Sequence, residues 1–294
     1  MTRKIRRIIL WFFVALFFVS SAIIVFLAQG LRFDFRSFNI TRTGGIYIVT
    51  SVPDAKIYIN DAYAQATGGL IKYGRLVENL LPRNYDVFVY KEGFYPWNKT
   101  IAVKAGEVVE IKNVVLFPID LKIEKVAQAD VKSLIKQFPK PATSTDGFRI
   151  KKAVLELLDA NNDKWLPVAN NVKYMALSPN GGNMLFATAS GGAPPPAMAG
   201  ENEIKVYSVA NKKSETVLSA GETIRYIAWL ADSSYFITVA GSDLIITELD
   251  ALGSKRNSIR LFFNIASPLN YDADDDIFYF SRDSALYKTH LYTQ

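Results

Sequence analysis

The sequence predicts an all-β protein behind one N-terminal transmembrane helix, and three observations carry that prediction. An uncharged run fills Ile8 to Ala28. Short β-branched and aromatic runs, bounded by Pro, Gly, Asn or Asp, fill Gly44 to Pro118. A pattern of strand, polar turn and strand then recurs at a nearly fixed spacing over residues 147–294.

The helix comes first. Met1 to Arg7 carries Arg3, Lys4, Arg6 and Arg7, and the following run IILWFFVALFFVSSAIIVFLA has only Ser20 and Ser21 as polar side chains. At about 1.5 Å per helical residue it spans roughly 31 Å, the thickness of a bilayer's hydrocarbon core. Cations on the N-terminal flank predict that residues 1–7 stay in the cytoplasm and that everything beyond Gln29 lies outside. A cleaved signal peptide competes with this anchor, with Ser20-Ser21-Ala22 and Leu27-Ala28-Gln29 as processing sites. A secretory apolar core runs only about 7–15 residues, whereas this one continues through Leu27. No cysteine follows, so a lipid-anchored lipoprotein is excluded. The expected location is the cell membrane, single-pass, with the bilayer as the partner of residues 8–28.

Composition narrows the chemistry. Half of the residues are hydrophobic, which argues for packed cores rather than disorder. Setting aside the four cations of the flank leaves 30 Lys and Arg against 28 Asp and Glu, so the basicity is topogenic and nucleic acid is not implied. With no cysteine and a single histidine, His290, the chain alone builds no disulfide framework, thiolate nucleophile, zinc cluster or His-dependent triad. His290 falls in an alternating segment, where a solvent-facing strand position is expected. No cofactor is expected.

Between Gly44 and Pro118 the strands are expected at Ile46–Val49, Lys56–Ile59, Tyr85–Tyr90, Ile101–Val103 and Val108–Ile111, forming a small sandwich or barrel-like sheet. In the longest, Tyr85, Val87 and Val89 fall on one face and Asp86, Phe88 and Tyr90 on the other, and the first set is the expected core. The segments Val52-Pro53-Asp54-Ala55-Lys56-Ile57-Tyr58-Ile59-Asn60-Asp61 and Leu80-Leu81-Pro82-Arg83-Asn84 through Tyr90-Lys91-Glu92-Gly93-Phe94 resemble the PEGA domain, an extracytoplasmic β-sandwich module. The glycine of the family's naming tetrapeptide is absent, and Arg83-Asn84 stands where a Gly usually follows the Pro, with Asn expected to take the left-handed conformation. Gly93 is expected at a positive backbone dihedral, letting Phe94 fold back on the core. The resemblance implies a binding or structural module without catalytic residues.

Residues 119–146 read as a linker with a helix from Ala129 to Phe138. Beyond it, polar turns at Asn180, Asp232 and Asp274 lie 52 and 42 residues apart. Discounting the Gly191 to Gly200 insertion leaves about 42 in both intervals, the period of a propeller blade. Ala153 to Val168 looks like the outer hairpin of an earlier blade, and Ser178-Pro179-Asn180-Gly181 is similar to the blade turn of TolB-like or WD-type propellers. This makes three and a half blades, an incomplete β-propeller.

Two groups of residues stand out as candidate sites. Asp272, Asp274 and Asp276 alternate as a cation loop would require, but Ile277 stands where such a loop needs Gly, and a solvated turn is expected. Tyr95 and Trp97, beside Gly93, form a candidate aromatic platform for a sugar or peptide, with a core role for Trp97 as the competing assignment. Asn39-Ile40-Thr41 and Asn98-Lys99-Thr100 match the glycosylation sequon. The expected function is a membrane-anchored extracytoplasmic binding or scaffold protein of the cell envelope, not an enzyme, whose partner is an envelope protein or a cell-wall glycan. The alternative is an exported carboxylate-dependent hydrolase or an accessory subunit of an envelope enzyme.

Overall fold

In the computed structural model the described residues are 3–35, 38–64, 67–68, 74–159, 161–188, 202–250, 252–253, 255–262 and 264–292. The expected Gly191 to Gly200 insertion lies outside them. The chain divides into two compact units, one of residues 1–92 and 96–116, the other of residues 93–95 and 117–294.

The first unit opens with α1 (Arg3–Ala28), whose apolar stretch is unburied along its length and is compatible with a membrane anchor or a signal sequence. Nothing in the periodicity of residues 29–43 announces the hairpin that follows, β1 (Leu31–Asp34) paired with β2 (Asn39–Arg42). Then come β3 (Gly44–Thr50), β4 (Lys56–Ile59), β5 (Ala62–Tyr63), β6 (Thr67–Gly68), β7 (Gly74–Leu80), β8 (Asn84–Tyr90), β9 (Trp97–Ala102) and β10 (Val108–Val114). They form two four-stranded sheets, β10-β3-β7-β6 and β5-β4-β8-β9. Only β10 with β3 is parallel among their pairs.

The two-residue period does what it predicted. Tyr85, Val87 and Val89 are 3%, 1% and 0% exposed and share the sandwich core with Ile46, Ile48, Ile57 and Ile101, while Asp86, Phe88 and Tyr90 face out. Asn60 and Asp61 both have positive φ (49° and 64°), the geometry of a two-residue type I′ hairpin turn between β4 and β5. Gly93 has φ +81° as expected. Two details differ. The turn before β8 does not use a left-handed Asn84: the Tyr85 hydroxyl donates to the Leu81 carbonyl (3.0 Å) and accepts from Arg83 Nε (3.1 Å), which ties the turn through side chains. The segment after Gly93 also pairs elsewhere: Gly93–Tyr95 belongs to the second unit, where Phe94 forms an antiparallel bridge with Pro118. There Tyr95 N donates to the Phe117 carbonyl (2.8 Å) and Ile119 N donates to the Gly93 carbonyl (2.9 Å).

In the second unit, β11 (Glu124–Lys125) and α2 (Gln128–Gln137) precede four sheets. Blade 1 is β12 (Ser144–Thr145), β13 (Phe148–Lys151), β14 (Val154–Asp159) and β15 (Lys164–Ala169); blade 2 is β16 (Val172–Leu177), β17 (Asn183–Thr188), β18 (Asn202–Ser208) and β19 (Lys213–Ala220). Blade 3 is β20 (Ile224–Trp229), β21 (Tyr235–Ala240), β22 (Asp243–Glu248) and β23 (Ser258–Phe262); blade 4 contains β24 (Ala266–Asp272), β25 (Ile277–Arg282) and β26 (Ala285–His290). The sequence count covers only the outer hairpin of blade 1, β14 and β15; β12 and β13 complete that blade, and blade 4 takes a strand from the linker. β11 pairs antiparallel with β26 (Glu124 opposite Lys288, Lys125 opposite Tyr287), giving blade 4 its fourth strand. Among the described residues no sheet closes on itself as a barrel.

Neighbouring blades pack face to face. Phe148 and Leu155 of blade 1 join Met175, Met184 and Phe186 of blade 2, and Leu185, Ile204 and Val206 of blade 2 join Ile227, Trp229 and Phe236 of blade 3. Trp229 Nε1 donates across to the Ala176 carbonyl (2.9 Å), so the buried indole keeps its hydrogen bond. Blades 3 and 4 meet where Tyr226 packs on Phe278 at 6.2 Å and its hydroxyl accepts from Tyr271 N (2.8 Å). The repeated turns are built alike: Asn180 Oδ1 accepts from Gly182 N (2.9 Å), Asp232 Oδ1 from Ser234 N (2.9 Å), and Asp272 Oδ1 from Asp274 N (3.1 Å).

Candidate functional site

Alternation in the sandwich sheet β5-β4-β8-β9 puts its core residues on one face and a row of aromatics on the other. Tyr58 of β4 lies opposite Tyr63 of β5 and Phe88 of β8, and Phe88 lies opposite Asn98 of β9. Ring centroids are 5.8 Å apart for Tyr58 and Tyr63, 6.1 Å for Tyr58 and Phe88, and 6.2 Å for Phe88 and Tyr90, the last pair nearly parallel. Tyr63, Phe88 and Tyr90 are 61%, 37% and 38% exposed. Cross-strand aromatic pairs contribute about 0.2–1 kcal/mol each to a sheet, which accounts for their adjacency but not for leaving so many rings in water. On the same face the Thr100 hydroxyl donates to Asp86 Oδ1 (2.7 Å), and Asn98 is exposed. The outward direction of Phe88 and Tyr90 is legible from the period of β8; their partner Tyr63 needed the Asn60-Asp61 turn to be recognised as a hairpin.

A second feature is a cleft of about 540 Å³ at the edge of blade 4. Its walls carry both signs of charge: Asp120, Glu124, Asp274 and Asp275 against Lys122 and Lys288, with His290 alongside. Lys288 Nζ pairs with Glu124 at 3.3 Å. His290 is exposed on β26, as the alternation predicts.

The three aspartates singled out in the sequence do not converge. Asp272 caps its own turn. Asp276 is not solvated as expected but 2% exposed: its Oδ1 accepts from the Tyr271 hydroxyl (2.8 Å) and its Oδ2 from Tyr292 N (3.3 Å). Burial raises its pKa against those two bonds and the nearby His290. Burial also raises Asp232, and it pushes the Tyr226 hydroxyl up to about 12. Among the described residues no group of three or more His, Asp or Glu is arranged to hold a metal ion. The aromatic platform is corrected too. Trp97 is 2% exposed and faces the sandwich core, so its ring offers no surface, and Tyr95 is half-buried.

Among solved structures, TolB from Acinetobacter baumannii is similar at 16% identity over 71% of this chain and 48% of that one, with a TM-score of 0.36. An oligogalacturonate lyase in complex with manganese is similar at 10% identity over 80% and 86%, with a TM-score of 0.36. The β-propeller domain of the Trilobed protease from Pyrococcus furiosus, described as having an open velcro topology, is similar at 18% identity over 43% and 38%, with a TM-score of 0.30. The chain thus spans less than half the length of that protease chain and of the TolB chain. No curated protein matches the sequence. The family model that matches is that of the PEGA domain, over residues 43–116, which is the first unit's sandwich.

Proposed function

We propose that the chain is a single-pass membrane protein that displays the PEGA domain and the four-bladed unit outside the cytoplasm and binds a cell-envelope glycan without catalysing a reaction. The observation that carries this is the aromatic row on the sheet face, in which Tyr63, Phe88 and Tyr90 are exposed and partly buried Tyr58 joins them. Full burial of an exposed aromatic side chain contributes about 1.5–3 kcal/mol, and covering the exposed part of each of these rings contributes a fraction of that. Steps of about 6 Å between centroids are close to the breadth of one sugar ring. Tyr suits a sugar because its face takes C–H groups and its hydroxyl takes hydrogen bonds. Asn98, Asp86 and Thr100 add donors and acceptors beside the row.

A carboxylate-dependent hydrolase would place its acids in the blade 4 cleft. Asp276 is the carboxyl there with a raised proton affinity, but both its oxygens are engaged within the blade, which favours binding over catalysis. The test is capture by the full-length protein in nanodiscs from separated glycan and protein fractions of an envelope. Wild type should retain glycan, and Phe88→Ser combined with Tyr90→Ser should weaken retention about tenfold or more, a loss of about 1.4 kcal/mol. Equal retention by the double variant, or retention of protein alone, contradicts the proposal.

A further inference from the structure

The hairpin after α1 carries apolar side chains that nothing among the described residues covers. Phe33, Phe35, Phe38 and Ile40 are 41%, 79%, 81% and 53% exposed. Phe33 stands opposite Ile40 across the β1–β2 ladder, and its ring meets Phe35 at 5.0 Å and Phe38 at 6.2 Å, so the four form one apolar surface. A two-stranded hairpin is marginal in water even with a covered face. Phe38 also holds φ at 49°, a left-handed conformation that costs a residue with a Cβ about 1–2 kcal/mol and usually goes to Gly, Asn or Asp. Displaying an aromatic ring to water from such a position needs a compensating contact.

Chain connectivity says where that contact is. Gln29 N donates to the Val25 carbonyl and Gly30 N to the Leu27 carbonyl, so the helical bonding runs to the residue before β1. The Gly30 carbonyl accepts from both Thr43 N (2.8 Å) and the Thr43 hydroxyl (3.0 Å), which closes the base of the hairpin against the helix end. Two residues separate Ala28 from Leu31, a reach of at most about 11 Å. The headgroup layer on each side of the hydrocarbon core is about 5–8 Å deep, so a hairpin on that tether starts within it or at its rim. Arg32 and Arg42 lie on the same short element, with long stems that reach lipid phosphates from an apolar surface.

We propose that the β1–β2 hairpin rests in the outer interfacial layer of the bilayer that α1 spans, with Phe33, Phe35, Phe38 and Ile40 inserted below the headgroups and Arg32 and Arg42 at phosphate level. This rests on α1 being an uncleaved anchor. Because β3 starts directly after Thr43, the hairpin then ties the PEGA domain to the membrane surface without an intervening linker.

The chain contains no cysteine, so single spin labels can be placed on the full-length protein without background. Labels at Leu16→Cys, Phe35→Cys and Lys213→Cys, in phosphatidylcholine and phosphatidylglycerol vesicles, would be read for collision with oxygen and with a water-soluble nickel chelate. The label at residue 35 should meet oxygen readily and be about fivefold less accessible to the chelate than the label at 213, with residue 16 deeper still. Chelate access at 35 equal to that at 213, with 16 still in lipid, overturns the hairpin proposal and leaves the anchor standing. Water access at 16 overturns both. Protection of 35 from both reagents, with spin–spin broadening, also overturns it and assigns the surface to a second copy of the chain.

Discussion

At the scale of single residues, backbone conformation and buried charge were not equally legible. Gly93 was readable because a turn must follow the β8 strand, and its φ of +81° leaves a built Cβ with no neighbour within 4 Å. Gly93→Val should therefore cost only the backbone strain, about 1–2 kcal/mol, and Gly93→Asn less, since Asn tolerates that region. Urea melts of the full-length variants check this, and equal midpoints would contradict it. Asp276 was misread as solvated because a run of aspartates looks like a surface turn. Nothing in that run announces the Tyr271 hydroxyl that, together with burial, makes its site. Its folded pKa lies above the unfolded value, so the protonated form is favoured by folding. The contribution is fully present below the unfolded pKa and is lost as pH rises through the folded one. Asp276→Asn should therefore flatten the rise in melting temperature that this group gives on acidification from neutral pH. An unchanged pH slope would contradict the assigned cause.

At the scale of elements, strands with a clean two-residue period were legible and those defined by a distant partner were not. β8 and β4 announce themselves by alternation, and α2 by its helical period. β7 was missed because only Gly74 and Val77 of its seven residues are buried, which leaves no pattern to read. β11 was missed for a different reason. Two residues, Glu124 and Lys125, become a strand only because β26 lies at the other end of the unit's sequence, a pairing no local signal encodes. Val126 N donates to the Leu286 carbonyl (2.9 Å) and its side chain is 8% exposed, so this residue fixes the joint. Val126→Pro removes the donor and leaves the carbonyl unmet, and should cost the second unit about 1–3 kcal/mol. Lys288→Ala breaks only an exposed ion pair with Glu124 and should cost less than about 1 kcal/mol. Differential scanning calorimetry separates the two, and a larger loss from Lys288→Ala would contradict the role given to β11.

At the scale of the whole molecule, class and order of parts were legible: one apolar helix, a sandwich with the PEGA pattern, then blades with a period near 42 residues. The blade count was short by half because β12 and β13 of blade 1 lie at the end of the stretch that reads as a linker, and β11 joins blade 4 only through a partner far along the chain. The proposed binding face lies elsewhere than the sequence reading put it: Tyr95 and Trp97 sit together in sequence, whereas Tyr58 and Tyr63 meet Phe88 and Tyr90 of β8 only through the pairing of β4 with β8. All of the proposed function depends on the helix holding both units outside the cytoplasm. The direct measurement is alkaline carbonate extraction of membranes, combined with protease added from the extracytoplasmic side and sequencing of the mature N-terminus. The protein should stay in the membrane fraction, lose everything beyond Gln29 to protease, and retain residues 1–28. A mature N-terminus near Ile23 or Gln29, or protection of the PEGA domain from external protease, would contradict it.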